Sequence, residues 1–152
     1  MKRNHTGHYS GMFLMIVLSF VAMYALMYLM VDSVSNVYAN VNQFYMVLTM
    51  IVPMVLFELL LMRSMYTNRK MNLGIVAVGV VVFVAAYAFT RNQTFVGDQE
   101  FLRSMIPHHG GAVLMCKEAP IRDSEIQGLC KNIISSQQAE IAQMKMILAR
   151  LK

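Results

Sequence analysis

Side chains that bind soft or borderline metals are concentrated in one short stretch of the chain. Met105, His108 and His109 lie within about one helical turn, and Met115 and Cys116 follow about two turns after the histidines. Thioether, imidazole and thiol together favour copper, with Cu(I) the best match and Cu(II) or Zn(II) behind it. Because adjacent residues point about 100° apart on a helix, we expect only one of the two imidazoles to face a given site.

A second set of ligands comes from the last helix that the sequence predicts. Residues recur there at spacings of three and four, a pattern typical of a buried seam. The stripe consists of Ile126, Cys130, Ile133, Gln137, Glu140, Met144, Ile147 and Leu151. In an antiparallel hairpin, Glu140 and Met144 run back past the histidines, which would give a buried Glu140 a partner. The equal alternative places Glu140 at the edge of the seam, in water.

Cys116 and Cys130 are the two cysteines of the chain, and three roles are open to them. A turn centred near residues 120–121 places Cys116 opposite about residue 126, roughly one turn short of Cys130, so that a direct disulfide would be strained. The other roles are metal ligand and small buried side chain. Outside the cytoplasm thiolates tend to be lost to disulfides, which makes methionine the more suitable soft ligand.

The residues around these ligands predict a helical hairpin. Asp98 is expected to cap its first helix, and Pro107 to bend that helix. Pro120 and Asp123 mark the turn into a second helix, which runs nearly to the end of the chain. Two helices of this length cannot bury a sizeable core. We therefore expect the hairpin to complete a four-helix bundle by forming a dimer, or to pack on the rest of the chain.

The first part of the chain carries three long apolar runs. Those at about 11–31, 44–62 and 73–90 each have roughly the 20 residues that a helix needs to cross about 30 Å of hydrocarbon. The chain of 152 residues is 57% hydrophobic and 14% charged, too apolar for a soluble protein of this size. The sequence thus predicts an all-α protein, with a three-helix transmembrane anchor over 1–90 and an extracytoplasmic hairpin over 91–152.

The orientation in the lipid bilayer follows from the basic residues beside the spans. These are Lys2, Arg3, Arg63, Arg69 and Lys70. The loop at 32–43 has neither Lys nor Arg, and Arg91 alone lies on the opposite side. We expect a bacterial-type inner (plasma) membrane with a cytoplasmic amino terminus and a periplasmic or extracellular hairpin. A cleaved signal peptide is disfavoured, since the first apolar run is longer than the usual 7–15 or so residues.

The sequence predicts neither nucleic-acid binding nor catalysis. The net charge of +5 is not gathered into a basic stripe, and no aromatic platform for bases accompanies it. The motifs of zinc hydrolases, di-iron proteins, phosphate-binding loops and nucleophile elbows are absent. We therefore expect no nucleic-acid partner and no enzyme.

Two segments of the hairpin resemble a known family. The Met-Ile-x-His-His core at 105–109, followed by Gln-x-x-Glu-Ile-x-x-Met at 137–144, is similar to the domain-of-unknown-function family 305. The resemblance covers 98–150 and leaves the anchor and both cysteines outside its pattern. The family is similar to ferritin-like bundles, and some members are periplasmic copper-binding proteins linked to copper tolerance. This resemblance implies copper ligation by Met105, His108, His109, Met115 and Met144.

Three functions are compatible with these features. The leading one is a membrane-anchored copper chaperone or buffer, acting in copper homeostasis or tolerance with a copper-handling partner protein. The second is a metal-free assembly module of a membrane complex, in which His108 and His109 make interhelical hydrogen bonds. The third is a three-span copper transporter with a ladder of thioethers, which resembles eukaryotic-type copper transporters except for its predicted cytoplasmic amino terminus. The ladder would consist of Met23, Met27, Met46, Met50 and Met54.

Overall fold

The computed structural model of the chain describes residues 5–151, and this part of the chain contains five α-helices and no strand. The helices are α1 (His5–Leu26), α2 (Val41–Leu61), α3 (Arg69–Asn92), α4 (Asp98–Glu118) and α5 (Ser124–Arg150). Short 3-10 turns at Met27–Met30 and Val34–Asn36 lie between α1 and α2. The prediction of an all-α protein is confirmed.

Three helical segments are long and apolar enough to cross a membrane. They are His8–Met30, Val41–Leu61 and Arg69–Asn92. Each begins three or four residues before the predicted apolar run, because polar residues at the helix start continue the helix but lower the local hydropathy. The number of candidate spans is as predicted, and it is compatible with a location in a membrane.

One compact unit contains α1, α2 and α3, and consists of the described residues up to Leu26 together with Asn42–Thr94. Hydrogen bonds from tyrosine hydroxyl groups connect the ends of its helices to neighbouring residues. The Tyr45 hydroxyl donates to the Thr94 carbonyl at 2.9 Å. At the other end, the Tyr66 hydroxyl donates to Glu58. Burial, and then this carboxylate, raise the pKa of Tyr66 to about 12.

The second unit contains α4 and α5, and also the segment Met27–Val41, which connects α1 to α2. Its core is a cluster of buried side chains, Leu102, Ile106, Ile141, Met144 and Leu148, against which Tyr38 of the connecting segment packs. Two hydrogen bonds join this segment to the hairpin, from Val41 N–H to Glu100 and from Lys145 to Ser35. Three helices that each crossed a membrane would leave Met27–Val41 and the hairpin on the same side of it, and the packing of the two agrees with that arrangement.

The connecting segment lies directly against two glycines of α4. A Cβ atom on Gly110 would lie 2.6 Å from Asp32 Oδ1 and 3.1 Å from Val31 Cγ1. On Gly111 it would lie 3.4 Å from the Met30 carbonyl oxygen. Any side chain at Gly110 would therefore push the segment away from the helix.

We expect Gly110→Ala to lower the free energy of unfolding of the second unit by about 1 kcal/mol, because overpacking outweighs the gain in helix propensity. Gly128→Ala in α5, where a Cβ atom meets nothing within 4 Å, should raise it by up to about 1 kcal/mol. Hydrogen exchange of the full chain in detergent measures both changes in the free energy of unfolding. If the two substitutions stabilise equally, the segment does not pack on α4 in solution.

The ends of the hairpin helices follow local capping rules with one difference from the prediction. The Asp123 side chain accepts the backbone N–H groups of Glu125 and Ile126, at 2.9 and 3.0 Å, as the sequence predicts. At the start of α4, however, Gly97 occupies the N-cap position, and Asp98 is the first helical residue. Pro107 lies within α4, which continues from Asp98 to Glu118.

Candidate metal site in the hairpin

The register of the hairpin differs from the predicted one. The pairs Cys116–Cys130 and His109–Glu140 have mean positions of (116 + 130)/2 = 123 and (109 + 140)/2 = 124.5. The sequence placed the centre near 120–121. The turn itself is centred at (118 + 124)/2 = 121, as predicted, so the paired residues are offset along the helices relative to the turn.

This register brings the two cysteines together. Cys116 and Cys130 form a disulfide with their Cα atoms 5.2 Å apart. The disulfide is thus the role that the structure shows among the three considered from the sequence, and the register places Cys130 opposite Cys116. A bridged sulfur carries no thiolate, so that Cys116 cannot act as the thiolate ligand considered from the sequence.

His109 occupies the centre of the site and is 8% exposed. Its Nδ1 lies 2.9 Å from the Met105 carbonyl oxygen, and its Nε2 lies 2.7 Å from Glu140 Oε2. A carbonyl oxygen only accepts hydrogen bonds, so Nδ1 carries a proton and donates it. A carboxylate also only accepts, so the contact with Glu140 is a hydrogen bond when Nε2 carries a hydrogen.

Glu140 lies at the edge of the interface between the helices, with its side chain 52% exposed. Of the two positions considered for it, the edge position is the observed one, and a histidine partner is present there as well. The buried seam of α5 instead contains Ile141 and Leu148, which are 6% and 3% exposed. Cys130 and Met144 of the predicted stripe are also buried, whereas Ile141 and Leu148 take the places that the prediction gave to Glu140 and Ile147.

Two thioethers lie next to the His109–Glu140 pair. Met105 precedes His109 by four residues and Met144 follows Glu140 by four, so in an antiparallel hairpin both lie one turn away in the same direction. Met144 belongs to the buried cluster, and Met105 packs against that cluster. We call His109, Glu140, Met105 and Met144 the inner group.

The remaining predicted ligands lie outside the inner group. His108 is exposed, with its ring centroid 6.0 Å from that of His109, and Met115 is 54% exposed. They stand seven residues apart on one face of α4. Across residues 5–151, no three His, Cys, Asp or Glu side chains are grouped closely enough to hold a metal ion. Thioethers would therefore have to contribute to any site in this hairpin.

The part that Met27–Val41 plays in covering α4 is not apparent from its own sequence. Asn36 of this segment is buried and donates to Asp32 Oδ1 at 2.7 Å, which shapes the surface that covers Gly110. The available signal was the Gly110–Gly111 pair in the middle of α4. Two glycines inside a helix are costly, and they often mark a place where another chain segment approaches the backbone.

Comparison with known proteins agrees with this architecture. Residues 86–148 match the family described as Domain of unknown function (DUF305). An uncharacterized protein of Acanthamoeba polyphaga mimivirus is 38% identical over 146 residues, which cover 94% of this chain and 94% of that protein. No solved structure matches the chain. The family match contains the whole of α4 and most of α5, and the viral relative extends the similarity across the three apolar helices. The chain belongs to the DUF305 family.

Proposed function

We propose that this protein is a membrane-anchored copper chaperone or buffer, whose hairpin binds Cu(I) through the inner group. The observation that carries the proposal is the orientation of His109. Proteins commonly fix a metal-binding histidine by a hydrogen bond from one ring nitrogen to a backbone carbonyl, which leaves the other nitrogen for the metal. His109 has this arrangement, with Nδ1 held by the Met105 carbonyl.

The donor set of the inner group suits a soft metal. Imidazole with two thioethers, from Met105 and Met144, favours Cu(I) over harder cations, while Cu(II) and Zn(II) would rely more on Glu140. A metal ion bound to Nε2 would lie about 2 Å from that nitrogen, in the direction where Glu140 Oε2 now lies at 2.7 Å. The ion and the carboxylate oxygen cannot both occupy this space. Glu140 must therefore swing outward when Nε2 binds a metal, and its half-exposed side chain has solvent on that side.

The disulfide supports a location outside the cytoplasm. Disulfides persist in oxidising compartments and are rare in the cytosol. The segment Met27–Val41 packs in the same unit and contains no Lys or Arg, whereas the 63–70 loop contains three. Both observations support an amino terminus in the cytoplasm and a hairpin on the outer face of a plasma-type membrane.

The exposed face of the hairpin supports a dimer as the complete binding unit. On α4, Phe101, His108 and Met115 recur every seven residues, and Phe101 and Met115 are 51% and 54% exposed. On α5, Ile126 and Ile133 begin a second row with the same spacing. A spacing of seven residues is the repeat by which helices pack side by side in coiled coils. A second copy on this face would complete a four-helix bundle and place His108 and Met115 in its seam.

The metal-free assembly module remains the second candidate, because both ring nitrogens of His109 already have partners. The thioether ladder of a transporter receives less support. Met46 and Met50 are 43% and 47% exposed on the outside of the three-helix unit, as expected for side chains that face lipid. The thioethers of Met46 and Met50 therefore do not line a path for copper between the three helices.

The deciding experiment is a Cu(I) titration of the full chain in detergent, against a coloured competing chelator. We expect the double variant Met105→Leu/Met144→Leu to lose roughly a hundredfold or more in affinity, at least the effect of disturbing the surroundings of a metal site. Met→Leu conserves volume, so the core should stay folded. Met146→Leu, 68% exposed on α5, is the matched control and should bind as the unaltered chain does.

Two histidine variants distinguish copper binding by the inner group from copper binding by His108 and Met115. His109→Ala should abolish tight binding, whereas His108→Ala should change mainly the number of copper ions bound per dimer. No competition by the unaltered chain, or equal binding by the Met105→Leu/Met144→Leu variant, would contradict the proposal and favour the assembly module.

A further inference from the structure

A groove with an entirely apolar lining runs along the three-helix unit. Its volume is about 560 Å³, and it lies chiefly between α2 and α3, with Ile16 of α1 at one side. From α2 the lining extends from Leu48 to Leu56, and from α3 from Met71 to Val82. No polar side chain faces it, so the groove suits a hydrocarbon and offers nothing to hold an ion or a polar solute.

The length of the groove matches half of a membrane. Met71 and Val82 are 82 − 71 = 11 residues apart, which corresponds to about 16 Å along a helix. The hydrocarbon core of a bilayer is about 30 Å thick. A transmembrane helix of a second copy would cross that whole thickness, whereas this groove spans about one leaflet. An acyl chain from one leaflet is the occupant of matching length.

The end of the groove at the start of α3 is basic. Arg69 and Lys70 are the first two residues of α3, and both are exposed. Lys70 precedes the lining residues Gly74 and Val78 by four and eight positions, so it lies on the same face of the helix. Residues 62–70 contain no Asp or Glu, and the carboxylate of α2 at this end, Glu58, accepts a hydrogen bond from Tyr66. The mouth of the groove therefore carries positive charge at the depth where lipid phosphates lie.

We propose that this groove is a binding site for one anionic phospholipid, with an acyl chain between α2 and α3 and the phosphate at Lys70 and Arg69. The apolar lining supplies the affinity for the chain, and the two cations supply the preference for an anionic headgroup. The site lies in the three-helix unit and is independent of any metal bound by the hairpin.

Gly74 offers a direct way to fill the groove. A Cβ atom at Gly74 meets nothing within 4 Å, so Gly74→Leu places its side chain in the groove without displacing a neighbour. Leucine also has a higher helix propensity than glycine, which keeps α3 intact. Gly11→Leu is the matched control, because Gly11 likewise meets nothing within 4 Å and does not line the groove.

The test uses the full chain in micelles that contain equal amounts of phosphatidylglycerol and phosphatidylcholine with identical acyl chains. Native mass spectrometry after detergent exchange counts the lipid retained. The unaltered chain and Gly11→Leu should keep one phosphatidylglycerol per chain. Gly74→Leu should retain roughly tenfold less of both lipids, the effect of excluding about two methylene groups. Arg69→Gln/Lys70→Gln should lose the preference for phosphatidylglycerol, by about fivefold per charge.

Three outcomes would overturn the proposal. The first is equal lipid retention by Gly74→Leu and Gly11→Leu. The second is an unchanged headgroup preference in Arg69→Gln/Lys70→Gln. The third is a change in the oligomeric state of Gly74→Leu with lipid retention unaffected, which would assign the groove to a second copy of the chain.

Discussion

Replacing Cys116 and Cys130 together by serine is expected to lower the free energy of unfolding of the hairpin unit by about 3 kcal/mol. The disulfide joins residues 14 positions apart, and closing a loop of this size removes about that much free energy of conformational entropy from the unfolded chain. The cluster around Ile106 contains five buried residues, so the core of the unit is small. A loss of this size would remove a large fraction of its stability, since whole domains have margins of about 5–15 kcal/mol.

Hydrogen exchange of the full chain in detergent measures this effect residue by residue. Amides of α4 and α5 should lose protection, while those of α2 serve as an internal reference. A phosphine reductant added to the unaltered chain should reproduce the loss, and added to the double variant it should change nothing. Unchanged protection of α4 and α5 in both tests would show that the bridge does not stabilise the hairpin.

Truncating Ile106 to alanine is expected to lower the free energy of unfolding of the same unit by about 2–5 kcal/mol. Ile106 is fully buried and packs in the cluster with Leu102 and Ile141. The substitution removes apolar contacts and leaves a cavity, which the surrounding helices fill only in part. Leu129→Ala provides the control, because Leu129 is 56% exposed and its truncation should stay within about 0.5 kcal/mol.

The same exchange measurement, with and without Cu(I), connects this prediction to function. A ligand that binds only the folded unit adds stability, so copper should restore part of the protection that Ile106→Ala removes. Equal losses in Ile106→Ala and Leu129→Ala would mean that the cluster is not the core of the unit in solution.

The helices could be predicted because their signals are local. Apolar runs of about 20 residues define spans whatever surrounds them, and Asp123 caps α5 through two neighbouring N–H groups. The register of the hairpin could not be predicted in the same way. Two rows of α5 carry apolar residues, one beginning at Ile126 and the other at Cys130. Which row faces α4 depends on how the two helices pack along each other beyond the turn, as the pairs Cys116–Cys130 and His109–Glu140 show.

The candidate site was predicted in part for the same reason. Helical geometry predicts that one of His108 and His109 faces inward, and the structure shows that His109 does so. Helical periodicity alone does not identify which one, because the choice depends on the packing of α4 against the other elements. The burial of Gly110 under Asp32 is also non-local, since these residues are 110 − 32 = 78 positions apart.

The discontinuous make-up of the second unit has a consequence for biogenesis. Met27–Val41 leaves the ribosome long before α4 and α5, and α2 and α3 are synthesised between them. If the three apolar helices cross a bilayer, Tyr38 meets its packing partners only after all three have been inserted. A chain that misses one insertion would then leave the segment and the hairpin on opposite faces of the membrane, with Leu102 and Ile106 uncovered. Completion of this small core would then depend on correct insertion of every span.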